Sequence, residues 1–252
     1  MIGELLRSPD VAALQRTAAA FFVEAAVEAI RARGVFSVAL SGGTTPKAVY
    51  ARIAEDEALR RQVHWAHVLF FWGDERHVPP DHPDSNFRMA EEAMLNRLPI
   101  DPHNVYRIKG EYQDAAKAAE EYERHLRGIV GARYTADDGA LPRFDLVLLG
   151  LGADGHTASL FPGSPALRQE RRLVVANPVA KMNTDRITLT APVFNNAADV
   201  VFLVQGADKA DALHAVLEGP YDPERLPAQM IRPRQGRLRW LVDPAAAARL
   251  DV

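Results

Sequence analysis

The sequence predicts an α/β protein: a mainly parallel sheet with helices on both faces, in a single domain over residues 1–252. Three observations carry that expectation. Short continuous apolar runs, such as VLFFW (Val68 to Trp72) and FDLVLL (Phe144 to Leu149), read as strands buried on both faces, the habit of parallel sheets. These runs alternate with stretches of helical periodicity, the pattern of strand–helix–strand units. Loops rich in glycine or charge follow Leu40, Trp72, Leu149 and Val204, and open α/β sheets hold ligands at such carboxyl ends.

The elements follow in order. Ser8-Pro9-Asp10 signals a helix start, a capping hydroxyl followed by proline where its missing N–H does no harm. Val11, Leu14, Ala18, Phe21, Phe22, Ala25 and Ala29 recur at helical spacing until Gly34 stops the helix. Val35 to Leu40 is a strand, and Pro46 opens a second helix reaching about Glu55. Val68 to Trp72 is a strand running into a charged loop, Gly73 to His77, and Ser85-Asn86 caps a helix through about Arg97. A long helix covers roughly Gln113 to Val130, and Phe144 to Leu149 is a third buried strand. Leu173 to Ala176, Arg186 to Thr190 and Val200 to Val204 are further strands. A helix spans Ala207 to Leu217, a proline-rich loop Gly219 to Pro227 and a last strand Leu238 to Val242, with an alanine-rich helix after Pro244.

Composition narrows the function. The 252 residues are 48% hydrophobic and 25% charged, which suits an ordinary globular protein and excludes a disordered chain. With no cysteine there is no disulfide, thiol nucleophile, iron–sulfur cluster or cysteine zinc site, a usage that suits a reducing compartment. A net charge of -3 argues against a nucleic-acid binder. The N-terminus carries charges where a signal peptide needs an apolar core, and no apolar run reaches the roughly 18 residues of a membrane span. A cytoplasmic, monomeric protein with no membrane or nucleic-acid partner is expected.

Each of the four loops offers chemistry. Ser41-Gly42-Gly43-Thr44-Thr45-Pro46 turns sharply into a helix start, an arrangement that favours a phosphate. A plain glycine turn with a threonine cap is the alternative, and the Gly-Lys-Ser/Thr of a Walker loop is missing. The second loop carries Asp74, Glu75 and Arg76 directly after VLFFW, and Arg76 is a candidate for gripping an anion or oxyanion. Its acids and histidines fit no zinc or calcium spacing, so no metal is expected there. The third loop contains a literal G-x-G-x-x-G (Gly150, Gly152, Gly155), but Pro162-Gly163 stops any long helix and no acidic strand end follows at the dinucleotide spacing. Its glycines instead bring Asp154 and His156 to the sheet edge, with the aspartate placed to orient the imidazole. In the fourth loop Lys209 stands in the first turn of a helix, against the dipole, which points to an anion beside it; an exposed solubilising lysine is the alternative. Arg186 at the start of its strand is a further anion candidate, or an edge-strand charge that deters aggregation.

SGGTTPKAVY, FWGDERHVPPDHPDSNF, DLVLLGLGADGHTASLFPGS, RITLTAPVFNNA, GADKA and LPAQMI followed by LRWLVD occur in that order from Ser41 to about Asp243. In these segments the chain resembles the glucosamine-6-phosphate isomerase/6-phosphogluconolactonase family, on its lactonase side. The resemblance implies a Rossmann-like fold of the glucosamine-6-phosphate deaminase type. It also implies hydrolysis of the sugar-phosphate lactone 6-phospho-D-glucono-1,5-lactone without metal or cofactor. Lactone hydrolysis needs a base to activate water, which makes His156 that base, with Asp154 holding its ring or bracing the loop and Arg76 on the oxyanion or another substrate oxygen; the sequence leaves open which of Arg76, Arg186 and Lys209 meets the phosphate. Ser41, Gly42, Gly43, Thr44, Asp74, Glu75, Arg186 and Lys209 would bind the substrate and its phosphate. Thr44 stands where many members carry serine, which keeps the hydroxyl. The sister deaminases show D-E-Y where this chain has Asp74-Glu75-Arg76, and lack the TASLFPG continuation. A non-catalytic sugar-phosphate sensor is the reading from another class; His156 together with Arg76 counts against it.

Overall fold

A computed structural model describes residues 3–131, 141–179 and 183–251. Six strands form a wholly parallel sheet: β1 (Glu4–Arg7), β2 (Phe36–Leu40), β3 (Val68–Trp72), β5 (Leu146–Gly150), β8 (Asp199–Val204) and β9 (Arg237–Val242), in the order β1-β9-β8-β5-β2-β3. Strands β2, β3 and β8 are buried at every position, so both faces of the sheet are covered, as their predominantly apolar composition requires. The helices are α1 (Val11–Arg33), α2 (Thr44–Glu55), α3 (Glu57–Arg60), α4 (Asn86–Ala93), α5 (Ala115–His125), α6 (Ala191–Phe194) and α7 (Ala210–Leu217). Leu14, Ala18, Phe22, Ala26 and Ala29 form the buried stripe of α1. Phe22 meets Phe36 edge to face at 5.4 Å, and Phe202 stacks on Trp240 of the neighbouring strand at 3.8 Å.

A second, smaller sheet is antiparallel: β4 (Asp74–Arg76), β7 (Thr184–Leu189) and β6 (Val174–Val179), in the order β4-β7-β6. It corrects two expectations. The charged segment after VLFFW is not all loop, because Asp74, Glu75 and Arg76 pair with Thr188, Ile187 and Arg186. Arg186 in turn lies on the central strand of this sheet rather than on an edge.

Other boundaries move for local reasons. Asp10, not Ser8, caps α1, accepting from the Ala13 amide at 2.6 Å, while the Ser8 amide donates to the Val242 carbonyl. Helix α2 begins at Thr44, two residues ahead of Pro46. Helix α4 stops at Ala93 before a single 3₁₀ turn, and α5 gives way to a wider turn at Leu126–Gly131. The residues after Pro244 form successive turns instead of a helix, anchored where Asp243 accepts from the Ala246 amide at 2.8 Å. Strand β1, absent from the sequence reading, adds an edge to the sheet beside β9.

The strand order fixes where a ligand goes. The chain leaves β2 for β3 on one side and returns to place β5 on the other, so the loops after β2 and β5 flank a topological switch point.

Candidate active site

At this switch point a pocket of roughly 230 Å³ opens, lined from the loops after β2, β4, β5 and β8. A larger groove of about 590 Å³ runs between Phe161–Pro165 and Asn183–Asp185, but among the described residues Asp185 is its one charged group and none is a histidine. The smaller pocket gathers Asp74, Arg76, His156 and Lys209.

Its first wall is the turn Ser41–Gly43. Tyr50 clamps Ser41, its hydroxyl accepting from the Ser41 amide at 2.9 Å and donating to the Ser41 carbonyl at 3.0 Å. Gly43 holds φ +101° as the N-cap of α2 and offers no side chain to the helix, leaving its positive end to a ligand. Gly42 has no alternative, since a Cβ there would lie 2.0 Å from Asn86 Oδ1.

The second wall is the loop after β5. His156 Nδ1 lies 2.5 Å from Asp154 Oδ1, and the Asp154 carboxylate also accepts from the His156 amide at 3.3 Å. With the Nδ1 proton held there, Nε2 keeps its lone pair, as a base requires. Phe161 lies against the imidazole at 4.5 Å between ring centroids. The Gly152 amide donates to the His156 carbonyl at 2.8 Å, closing the turn. A Cβ on Gly152 would fall 2.0 Å from His156 Nδ1, so Gly152 is set by the close approach of the ring, while Gly155 holds φ +80° against Leu226. No helix follows them.

The third wall comes from β4. Arg76 lines the pocket, its guanidinium donating to the Asp84 carbonyl at 2.9 Å. Arg186 stands opposite it in register, and directly opposed residues of an antiparallel pair share a face. Burial first, and the neighbouring Arg76 charge second, hold the Arg186 guanidinium below its ordinary pKa. Two cations forced together in this way are relieved by an anion.

Asp74 also lines the pocket, but its carboxylate is already engaged by the Ser159 hydroxyl at 2.6 Å and Asn86 Nδ2 at 3.3 Å. Glu75 faces away. It is 2% exposed and accepts from the amides of Arg76 (2.8 Å), Asn86 (2.7 Å) and Phe87 (2.8 Å) and from the Ser85 hydroxyl (3.1 Å). Burial pushes its carboxyl up to about 7, against those amides, which pull it down. Lys209, beside the start of α7, closes the pocket from β8, with its ammonium 3.0 Å from Asp208.

Of the residues expected from sequence, Ser41, Gly42, Gly43, Thr44, Asp74, Arg76, His156 and Lys209 line this one pocket. Asp154 stands behind His156, Arg186 beside Arg76, and Glu75 behind β4. Sequence reasoning missed Asn86 and Gln205, which also line it. Asn86 reads in sequence only as part of a helix cap. Gln205 had a signal: it is the lone polar residue between the apolar run ending at Val204 and Gly206. His77 and His82 are spent on backbone contacts, His77 on the distant Tyr112 carbonyl and His82 on the Asp84 amide of its own loop. Among the described residues, the ligand atoms of His214, Glu218 and Asp251 come close enough to share a cation, but none of the three lines the pocket.

Fold and pocket together are those of the open-sheet α/β enzymes, with their ligands beyond the carboxyl ends of the strands. The chain belongs to the family of glucosamine-6-phosphate isomerases/6-phosphogluconolactonase, which it matches over residues 9–240. A 6-phosphogluconolactonase of Nostoc sp. is 42% identical over 224 residues, 89% of this chain and 88% of the relative. One of Synechocystis sp. is 44% identical over 88% of each chain. The solved structure of a 6-phosphogluconolactonase from Trypanosoma cruzi superposes with a TM-score of 0.85 at 30% identity, covering 99% of this chain and 97% of the other.

Proposed function

We propose that the chain hydrolyses 6-phospho-D-glucono-1,5-lactone to 6-phosphogluconate, the second step of the oxidative pentose phosphate pathway. The observation that carries this reading is the His156–Asp154 pair, set on the wall of a pocket that also presents Arg76, Lys209 and the start of α2.

Water attacks the lactone carbonyl carbon while His156 Nε2 takes its proton. Asp154 holds the ring by its Nδ1 proton and stabilises the imidazolium that forms. The carbonyl oxygen becomes an oxyanion, which Arg76 stabilises, with Arg186 adding positive charge beside it. When the tetrahedral intermediate collapses, the bond to the ring oxygen breaks and His156 returns the proton to that oxygen. The products are a carboxyl group and a free hydroxyl. The phosphate sits on Gly42, Gly43 and Thr44 at the positive end of α2, with Lys209 as its counter-charge. Asp74 and Ser41 brace the walls. Ser159 is no nucleophile, because its hydroxyl is buried and donated to Asp74. No step calls for a metal or cofactor.

The reading extends to a monomer in the cytoplasm. Among the described residues, Val27 and Tyr221 are the large hydrophobic side chains left exposed, which supports a chain with no obligate interface. No helix of the described residues is long and apolar enough to cross a membrane.

A pH-stat assay with freshly generated lactone tests the reading, run beside glucosamine-6-phosphate with ammonia detection. Acid release well above the spontaneous rate, with no ammonia, is the expected outcome. Ammonia release without lactone turnover would give the chain to the deaminase side of its family.

A further inference from the structure

The residues after His156 lock its loop onto the fold. The Thr157 hydroxyl donates to the Gly150 carbonyl at 2.8 Å, the Ser159 hydroxyl donates to Asp74 at 2.6 Å, and Leu160 is fully buried. Phe161 comes next and differs. It is half-buried, and its ring lies against the His156 imidazole, with centroids 4.5 Å apart and planes 35° from parallel. The chain beyond it is held as well: the Phe161 carbonyl accepts from the Ser164 amide at 3.1 Å, and the Gly163 amide donates to the Glu224 carbonyl at 2.9 Å. Pro162 restricts the Phe161 backbone to extended forms. The ring is therefore placed by its surroundings, between the imidazole and the larger groove, which Phe161 also lines.

What the ring can do follows from the charge it faces. Rings this close and this near to parallel meet face to face, and an aromatic face is electron-rich. Neutral imidazole gains only packing from such a contact. The imidazolium that forms when His156 takes a proton gains a cation–π attraction as well. That gain arises only on the way to the transition state, so it lowers the barrier without tightening ground-state binding. Asp154 grips the ring at Nδ1, which leaves it a tilt about that bond, and Phe161 and the close backbone of Gly152 limit the tilt. We infer that Phe161 is a positioning residue for the hydrolysis: its ring fixes the plane of the His156 imidazole, and its π face stabilises the imidazolium. The inference rests on the proposed lactone chemistry, in which His156 is the base.

The test uses the full chain, with fluorinated phenylalanines placed at position 161 by nonsense suppression, beside Phe161→Leu and Phe161→Tyr. Each added fluorine drains the ring face with little change of shape, so kcat for the lactone should fall stepwise along the series. Phe161→Leu fills the space without a π face and should lower kcat about tenfold. Phe161→Tyr keeps the face and should hold kcat within about twofold of the wild type. KM, calorimetric affinity for 6-phosphogluconate and melting temperature should change little across the set, because the ring acts on the base and not on the phosphate grip. On a His156→Ala background Phe161→Leu should cost nothing further, since the group it acts through is gone. A flat fluorine series overturns the inference. So does a Phe161→Leu variant that loses kcat, product affinity and melting temperature together, because that is a structural role. Either result in a chain that hydrolyses the lactone leaves the catalytic reading standing. A wild type that does not hydrolyse it removes both.

Discussion

His156 and Asp154 are two residues apart, and one tight turn makes them a hydrogen-bonded pair without help from distant chain. That locality is why both were legible in the sequence. Asp74 and Glu75 are the opposite case. Their carboxylates are committed by Ser159, 85 positions away, and by Asn86 and Phe87, 12 or fewer away, and no spacing rule reveals where a carboxylate will turn. Two predictions belong at this scale. His156→Ala should lower kcat by roughly 10²–10⁴-fold, the contribution of a positioned base, with product affinity little changed, after subtraction of spontaneous lactone hydrolysis. Near wild-type turnover in the folded variant would move the base to another group. Lys209→Ala should raise KM for the phosphorylated lactone far more than for unphosphorylated gluconolactone, because the charge-assisted contact exists only with phosphate. Equal effects on both substrates would place Lys209 elsewhere.

Elements were legible where they are long, apolar and regular. β2, β3 and β8 follow from short, predominantly apolar runs, and α1 from its stripe of small and aromatic residues. β4 was not, because three charged residues form a strand only when β7 supplies the pairing, and β1 was hidden by its mixed composition at an edge. The contact between the α2 turn and α4 is likewise tertiary, and it makes a prediction. Gly42→Ala puts a methyl group into the Asn86 amide, so either the turn or the Asn86 side chain, with its bonds to Asp74, must move. The expected result is a rise in KM of about tenfold or more with kcat less affected, since the phosphate turn shifts while His156 sits on another loop. Unchanged KM would mean the turn does not meet the phosphate. Glu75 predicts a pH effect for the same α4 start. Its folded value of about 7 lies above the 4.5 of the unfolded chain, so the native state holds the proton more tightly between those values. Stability from this group is therefore full below about 4.5 and is lost as pH rises towards 7, by at most roughly 3 kcal/mol. Compared with Glu75→Gln, the wild type should lose ground in urea midpoint between pH 5 and pH 8. A constant difference across that range would show that the amides keep Glu75 ionised throughout.

At the scale of the whole molecule, the site exists because two sheets meet. The Gly73 amide donates to the Leu40 carbonyl at 2.9 Å and its carbonyl accepts from Leu189 at 2.8 Å, so β3 hands the chain from the parallel sheet to the antiparallel one. The fold class was readable from alternation alone, but this junction was not: it depends on β6 and β7 pairing with β4 instead of entering the main sheet. Ser159 ties the junction to the His156 loop. Its hydroxyl donates to buried Asp74 at 2.6 Å, and its carbonyl accepts from Asn177 of β6 at 2.8 Å. Ser159→Ala removes the short bond and leaves Asp74 Oδ2 without that donor. Losing a hydrogen bond to a buried charge costs about 1.5–3 kcal/mol. For a chain of this length that is a fall of roughly 3–10 °C in melting temperature. Activity should drop less than about tenfold, through loosened placement of His156 rather than lost chemistry. A serine nucleophile would give the reverse: an unchanged melting temperature and a loss of several orders of magnitude in kcat. Measuring melting and turnover on one preparation of the variant separates the two, and the second pattern would overturn the assignment of water as the attacking group.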